Sequence, residues 1–238
     1  MSKKITFKAK SLMGYETEQR PYPAKKSLPK WYKDLPSYDV NPDGKRELYL
    51  VDGVSNVTAK KCMPMLDSMM AGYIIPLHSD VQVINDKETP EISWRSINPV
   101  FEIHGTSAEG VETPPGYHKR PFKFLSSWIP QTPKGYSVLI TSPLGYHDPV
   151  FKAIPAIVDT DKGINELLPP VWVKNDFNGV VEQGTPMIQI IPFKRDNWEA
   201  EFDYFKTKEE WDIYIQKTFF SRITNNYIRN TWSKKHFD

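Results

Sequence analysis

Tyr136-Ser-Val-Leu-Ile-Thr-Ser142, Ile154-Pro-Ala-Ile-Val-Asp159 and Gly184-Thr-Pro-Met-Ile-Gln-Ile-Ile191 are three apolar, β-branched runs in the stretch from Lys134 to Arg195. Gly135 opens the first and Pro143 closes it; Asp159 and Asp161 end the second; the third is launched from a glycine turn. Runs of this kind bounded by turn formers predict strands. The stretch therefore reads strand, turn, strand, turn, strand. Proline carries the inference outward. The chain holds 21 prolines against 12 glycines, spread evenly along its length. Each removes a backbone donor and blocks a helix interior, which excludes long helices through most of the chain. The expected fold class is mainly β, α+β overall.

At 238 residues, with 39% hydrophobic and 13% aromatic content, the chain is long enough to bury a core and too apolar for disorder. It reads as a single domain, 1–238, in three parts: a Pro- and Tyr-rich arm over 1–57, a β-rich core over 58–195 and a C-terminal helical extension over 196–238. The 31 basic and 29 acidic residues are intermixed and leave a net charge of +2. Nucleic-acid binding needs a concentrated basic face, so nucleic acid is not an expected partner. Cys62 is the sole cysteine, which excludes an internal disulfide framework and any multi-cysteine zinc site. Met1-Ser-Lys-Lys leads into no apolar run, and no run approaches the roughly 18 residues of a membrane span. The expectation is a soluble protein made in a reducing cytoplasm.

Ile5-Thr-Phe-Lys-Ala9 predicts a first strand. Leu28-Pro-Lys-Trp-Tyr-Lys-Asp-Leu-Pro36 predicts an extended crossing anchored by Trp31 and Tyr32, because proline holds its predecessor extended. Such an arm either packs on its own core or binds a partner. Residues 58–71 predict a helix whose stripe of Cys62, Met65, Leu66, Met69 and Met70 is adaptable core. Pro64 then falls in its first turn, Gly72 just past its end, and Cys62 is buried and inert. Strands are expected at 73–77 and 80–85, with another pair between Glu91 and Ile103. A loop follows at 104–118, then an aromatic run from Phe122 to Trp128 and a turn from Pro130 to Gly135. Thr207-Lys-Glu-Glu210 has the form of a capping box. Trp211, Ile215, Phe219, Ile223 and Tyr227 then recur every four residues, which predicts an amphipathic helix of roughly five turns. Its stripe is too apolar to stay in water, so it docks on its own core or on a neighbouring subunit.

Few patterns carry chemistry. His78-Ser-Asp80, with His147, has the spacing of a facial metal triad, but no arginine clamp accompanies it and no metal is expected. Phosphate-cradling glycine loops and nucleophile elbows are absent. Asp159 and Asp161 either bind Mg²⁺ and activate water or serve as turn formers.

Met70-Ala-Gly-Tyr-Ile-Ile75, Tyr136-Ser-Val-Leu-Ile-Thr-Ser-Pro-Leu-Gly145, Ile157-Val-Asp-Thr-Asp161 and Gly184-Thr-Pro-Met-Ile-Gln-Ile-Ile191 resemble, in order, four motifs of the dUTPases. The resemblance covers about half the chain. It implies a distorted β-barrel of the dUTPase and dCTP deaminase (β-clip) type and assembly as a trimer. It also marks departures from the family's chemistry. Ile74 stands at the metal-side aspartate, Thr141-Ser142-Pro143 at the phosphate-binding Arg-Ser pair and Lys162 at the ribose-packing tyrosine. Asp159 alone keeps its place, that of the water-activating aspartate. Pro29-Lys-Trp-Tyr-Lys-Asp-Leu-Pro36 and Lys61-Cys-Met-Pro-Met-Leu-Asp-Ser-Met-Met-Ala-Gly-Tyr-Ile-Ile-Pro-Leu77 further resemble a protein family of large tailed bacteriophages that carries no assigned activity. The expected function is a non-enzymatic phage protein, virion structural or accessory, in the host cytoplasm or the particle, acting by protein binding or self-association. Trp31, Tyr32, Lys162 and Gln189 are its candidate binding residues, and no cofactor is expected. The alternative is a nucleotide-binding or nucleotide-hydrolysing enzyme using Asp159 and Asp161 with Mg²⁺.

Overall fold

The structure, a computed structural model, describes residues 3–17, 19–51, 54–85, 89–105, 110–163, 166–223 and 227–238. Side chains are described for these except at 13, 17 and 219–223. About 30% of the chain is strand and 19% helix, so the fold is mainly β. In chain order come β1 (Thr6–Ala9), β2 (Tyr22–Pro23), β3 (Leu50–Val51), β4 (Val54–Ser55), β5 (Tyr73–Pro76) and β6 (Val81–Ile84). Next are β7 (Glu91–Trp94), β8 (Phe101–Ile103), β9 (Phe122–Phe124), β10 (Trp128–Gln131) and β11 (Tyr136–Thr141). The last are β12 (Phe151–Ala153), β13 (Ala156–Val158), β14 (Pro170–Val173), β15 (Gly179–Val181) and β16 (Pro186–Lys194). The helices are α1 (Leu12–Thr17), α2 (Lys30–Asp34), α3 (Met63–Met70) and α4 (Lys208–Ile223).

The chain divides into two compact units. The first comprises Met1–Pro29, Met69–Arg195 and Phe237–Asp238; the second comprises Lys30–Ser68 and Asp196–His236. The first unit holds a five-stranded antiparallel sheet ordered β13-β11-β16-β5-β2. Its first three strands are the three runs of the deciding stretch, brought side by side. The same unit holds the sheets β12-β14-β9-β8, β15-β6-β7 and β1-β10. Among the described residues none of these sheets closes on itself, so the expected barrel is not what the pairing displays.

β16 is the longest strand, and Met187, Ile188, Gln189 and Ile190 are all buried along it. A strand covered on both faces reads as an unbroken apolar run instead of an alternating one. Its core companions include Ile75, Val83, Phe124, Val138 and Val173. Pro192 is accommodated within it for a geometric reason. Arg195 donates its N–H to Gly135 O, so odd-numbered residues at this end bond toward β11 and Pro192 points away. β5 pairs with β16 only from Pro186 to Ile190, so no ladder bond is lost there.

Several expectations need correcting. Pro130 does not open a turn: it lies within β10, opposite Phe7 of β1, and β10 has no other strand partner among the described residues to miss its N–H. The helix expected at 58–71 is broken into a 3₁₀ turn, Ala59–Lys61, and α3. Pro64 does sit in the first turn of α3. Cys62 lies at the break, where its carbonyl accepts from Leu66 N–H and its side chain is exposed. It is a cap residue, not part of a buried stripe. β12, β14 and β15 were not expected at all.

In the second unit, Tyr32 of α2 is buried, its hydroxyl donating to Lys60 O at 3.1 Å. Thr207 caps α4 as expected, accepting from Glu210 N–H at 3.1 Å. The Glu210 carboxylate reaches Lys206 N–H at 2.8 Å, one residue earlier than the capping box requires. At the start of the expected stripe, Trp211 and Ile215 remain 46% and 44% exposed. Phe219 and Ile223 lie outside the described side chains, and Tyr227 opens a separate π-helical turn, Tyr227–Thr231.

Gly72 is the tightest point of the main sheet. Its φ is +70°, and a Cβ there would lie 1.9 Å from Ile190 O, a backbone atom of β16 that cannot move aside. Gly116, at φ +84°, has nothing within 4 Å. We expect Gly72→Ala to lower stability by roughly 3 kcal/mol or more, in the tail of single-residue effects. Gly116→Ala should lose only the left-handed backbone cost, roughly 1–2 kcal/mol. Urea unfolding midpoints of the two variants measure the difference.

Candidate functional site

The best-organised polar cluster lies where β11, β13 and β16 end together. Val138 faces Val158 across the β11–β13 pair, which places Ser137 opposite Asp159, one residue past the strand. Ser137 Oγ donates to Asp159 Oδ1 at 2.6 Å. Arg195 follows β16 directly, and its side chain turns back across the sheet end. Nη1 donates to Tyr136 O at 3.0 Å, Ser137 Oγ at 2.8 Å and Asp159 Oδ1 at 3.0 Å. Nη2 donates to Asp161 Oδ2 at 2.5 Å. That same oxygen accepts Gly135 N–H at 2.7 Å. Between the two acids, Thr160 is buried and its hydroxyl meets that of Thr132 at 2.7 Å.

The two carboxylates thus share one guanidinium, whose planar fork suits two acceptors at once. The hydrogen bond from Arg195, then that from Gly135, pushes the Asp161 pKa down to about 2 although its side chain is 1% exposed. Asp159 is lowered too, first by the Ser137 hydroxyl and then by the charges of Arg195 and Lys162. Both hold a fixed negative charge at neutral pH. A group that must take up and release protons near pH 7 needs the opposite tuning. Chemically, the arrangement clamps a turn onto a sheet end.

Gln189 is fully buried at the centre of β16. Its Oε1 accepts Leu144 N–H at 2.8 Å and its Nε2 donates to Ala71 O at 2.7 Å. It joins the Pro143–Gly145 loop and the Ala71–Gly72 turn to one strand, at the side of the sheet remote from the Arg195 clamp along β16. Lys162 is exposed beside Asp159. Trp31 and Tyr32 meet edge to face, centroids 5.6 Å apart, and Lys60 lies over the Tyr32 ring at 4.7 Å. These two belong to the second unit. His78 is buried near Phe124, while Asp80 accepts Gln183 N–H at 2.7 Å and His147 is exposed. No metal-holding group of three His, Cys, Asp or Glu occurs among the described residues, and no described helix is long and apolar enough to cross a membrane.

Sequence reasoning missed Arg195 and Ser137. The available signal was positional: a basic residue immediately after a strand, and a hydroxyl near the start of its neighbour. Pairing the two needs the β11–β16 register. A scan against protein-family models matches none, and a search of curated proteins finds no relative.

A carboxyl group whose pKa is depressed by folding stabilises the fold above its unfolded pKa, near 3.9 for Asp. That contribution is lost as pH falls through the folded value, about 2 for Asp161. Wild-type stability should therefore decline between about pH 5 and pH 2. Asp161→Asn should be less stable at pH 7 and show a flatter decline over that window. Urea midpoints measured across pH compare the two curves.

Gln189→Leu should lower stability by roughly 2–4 kcal/mol, because two backbone groups of half-buried residues, Leu144 N–H and Ala71 O, lose their partner at once. A control at exposed Lys162, Lys162→Ala, should stay within about 0.5 kcal/mol.

Proposed function

We propose that the chain is a non-enzymatic bacteriophage protein, virion structural or accessory, that works by protein binding or assembly. One observation carries the reading. Asp159, the carboxylate left from the dUTPase pattern, and its neighbour Asp161 are both bound by Arg195; Asp159 also accepts from the Ser137 hydroxyl on β11 and Asp161 from the Gly135 N–H. Mg²⁺ at this carboxylate pair would have to displace the guanidinium that bridges it. Triphosphate chemistry relies on preorganised cations around the transferring group, and Ile74 and Thr141-Ser142-Pro143 supply none.

A distorted core of the dUTPase and dCTP deaminase type belongs to the same proposal. The order of the four motifs supports it, as does the adjacency of β13, β11 and β16 in one sheet. Self-association, a trimer by that likeness, and a location in the host cytoplasm or the particle follow from it. The phage assignment is supported by the likeness of residues 29–36 and 61–77 to the phage family.

The competing reading is a nucleotide-hydrolysing enzyme using Asp159 and Asp161 with Mg²⁺. Incubating the purified chain with a panel of nucleoside triphosphates and Mg²⁺ decides between them. We expect no turnover. Turnover that Asp159→Asn abolishes overturns the proposal. Mass spectrometry of purified particles then separates the structural form, present in virions, from the accessory form, absent from them.

A further inference from the structure

The second unit has almost no interior. Among its described residues only Tyr32 and Asn41 are buried. Its most exposed part is continuous in sequence: Trp198 is 89% exposed, Phe202 94% and Tyr204 78%. Isolated surface hydrophobes are ordinary, but a contiguous aromatic stretch in water marks an interaction site.

The pattern of this stretch says what it binds. From Trp198 to Tyr204, aromatic or small residues (Trp198, Ala200, Phe202, Tyr204) alternate with acids (Glu199, Glu201, Asp203). A period of two is that of a strand with one apolar and one charged face. Yet residues 196–205 have no strand partner among the described residues. The segment has a strand's sequence without a sheet to join. Its acids exclude a phosphate backbone and call for a basic surface.

The chain carries that surface on β1. Exposed Lys4, Thr6 and Lys8 alternate with half-buried Ile5, Phe7 and Ala9, and Ile5 and Phe7 pack against the main core. One face is basic, the other apolar. Among the described residues β1 pairs with β10 alone, so it is an edge strand, a template for strand addition. Because both segments have a period of two, every second register sets acids beside lysines and aromatics beside Ile5 and Phe7. Among the described residues, residues 198–204 have no strand partner and β1 is paired along one edge, by β10.

We propose that residues 198–204 of one copy add as a strand to the free edge of β1 in a second copy. The inference rests on reading the chain as an assembly protein and names the surface through which it assembles. The contact is heterologous, since different segments meet, and closes into a ring when the rotation permits.

Sedimentation of the full chain at micromolar concentration tests it. We expect self-association that weakens as salt rises. Phe202→Pro removes a ladder donor from an exposed residue; it should weaken association by roughly tenfold or more with an unchanged melting temperature. Two charge-reversed proteins provide a second measure, one carrying Glu199→Lys, Glu201→Lys and Asp203→Lys, the other Lys4→Glu and Lys8→Glu. Neither should self-associate, and their mixture should. A monomeric wild type, an unaffected Phe202→Pro variant, or a mixture that stays monomeric overturns the inference. A monomeric chain found in virions would sink strand addition and leave the assembly reading standing, whereas nucleotide turnover would sink that reading alone.

Discussion

The first unit depends on β16 being covered on both faces while it pairs along both edges. A strand in that position has little tolerance, because its neighbours are packed at near-crystal density and every backbone group must find a partner. Gly72 meets the demand by bringing the turn before β5 against the Ile190 carbonyl with no Cβ between them. Gln189 meets it by giving both ends of a buried amide to backbone groups of two flanking segments. The longest strand and its two tightest contacts are one constraint.

At the other end of that strand, Arg195 does for charge what Gln189 does for neutral groups. One guanidinium serves two aspartates, a serine hydroxyl and a backbone carbonyl. The carboxylates that a nucleotide enzyme would turn toward its substrate are turned here toward the protein's own sheet end. A cluster that lowers the pKa of its acids is suited to holding a turn in place and unsuited to proton transfer at neutral pH. The second unit, with Tyr32 and Asn41 as its only buried residues among those described, is where surface remains to be covered.

Much of the strand content was legible because it follows from local composition. β5, β6, β11, β13 and β16 are β-branched runs punctuated by Gly, Pro or Asp, and all were anticipated within a few residues. β14, Pro170–Val173, was missed because it is brief and begins at the second of two adjacent prolines. Pro130 misled in the same way: proline signals a turn unless its missing N–H faces no neighbouring strand, and only the pairing reveals that. Cys62 looked buried because helical periodicity was carried through a residue where the helix had not begun.

The amino-acid sequence by itself determined the class of the fold, several of its strands and the alternation of acids with aromatics after Arg195. These are properties of neighbouring residues, set by backbone sterics and side-chain period. Only the tertiary structure decided what Asp159, Asp161 and Gln189 are for. Their partners, Arg195, Ser137, Gly135, Leu144 and Ala71, are distant in sequence and meet through the register of β11, β13 and β16. A carboxylate or a buried amide takes its role from the groups that satisfy it, and folding chooses those groups.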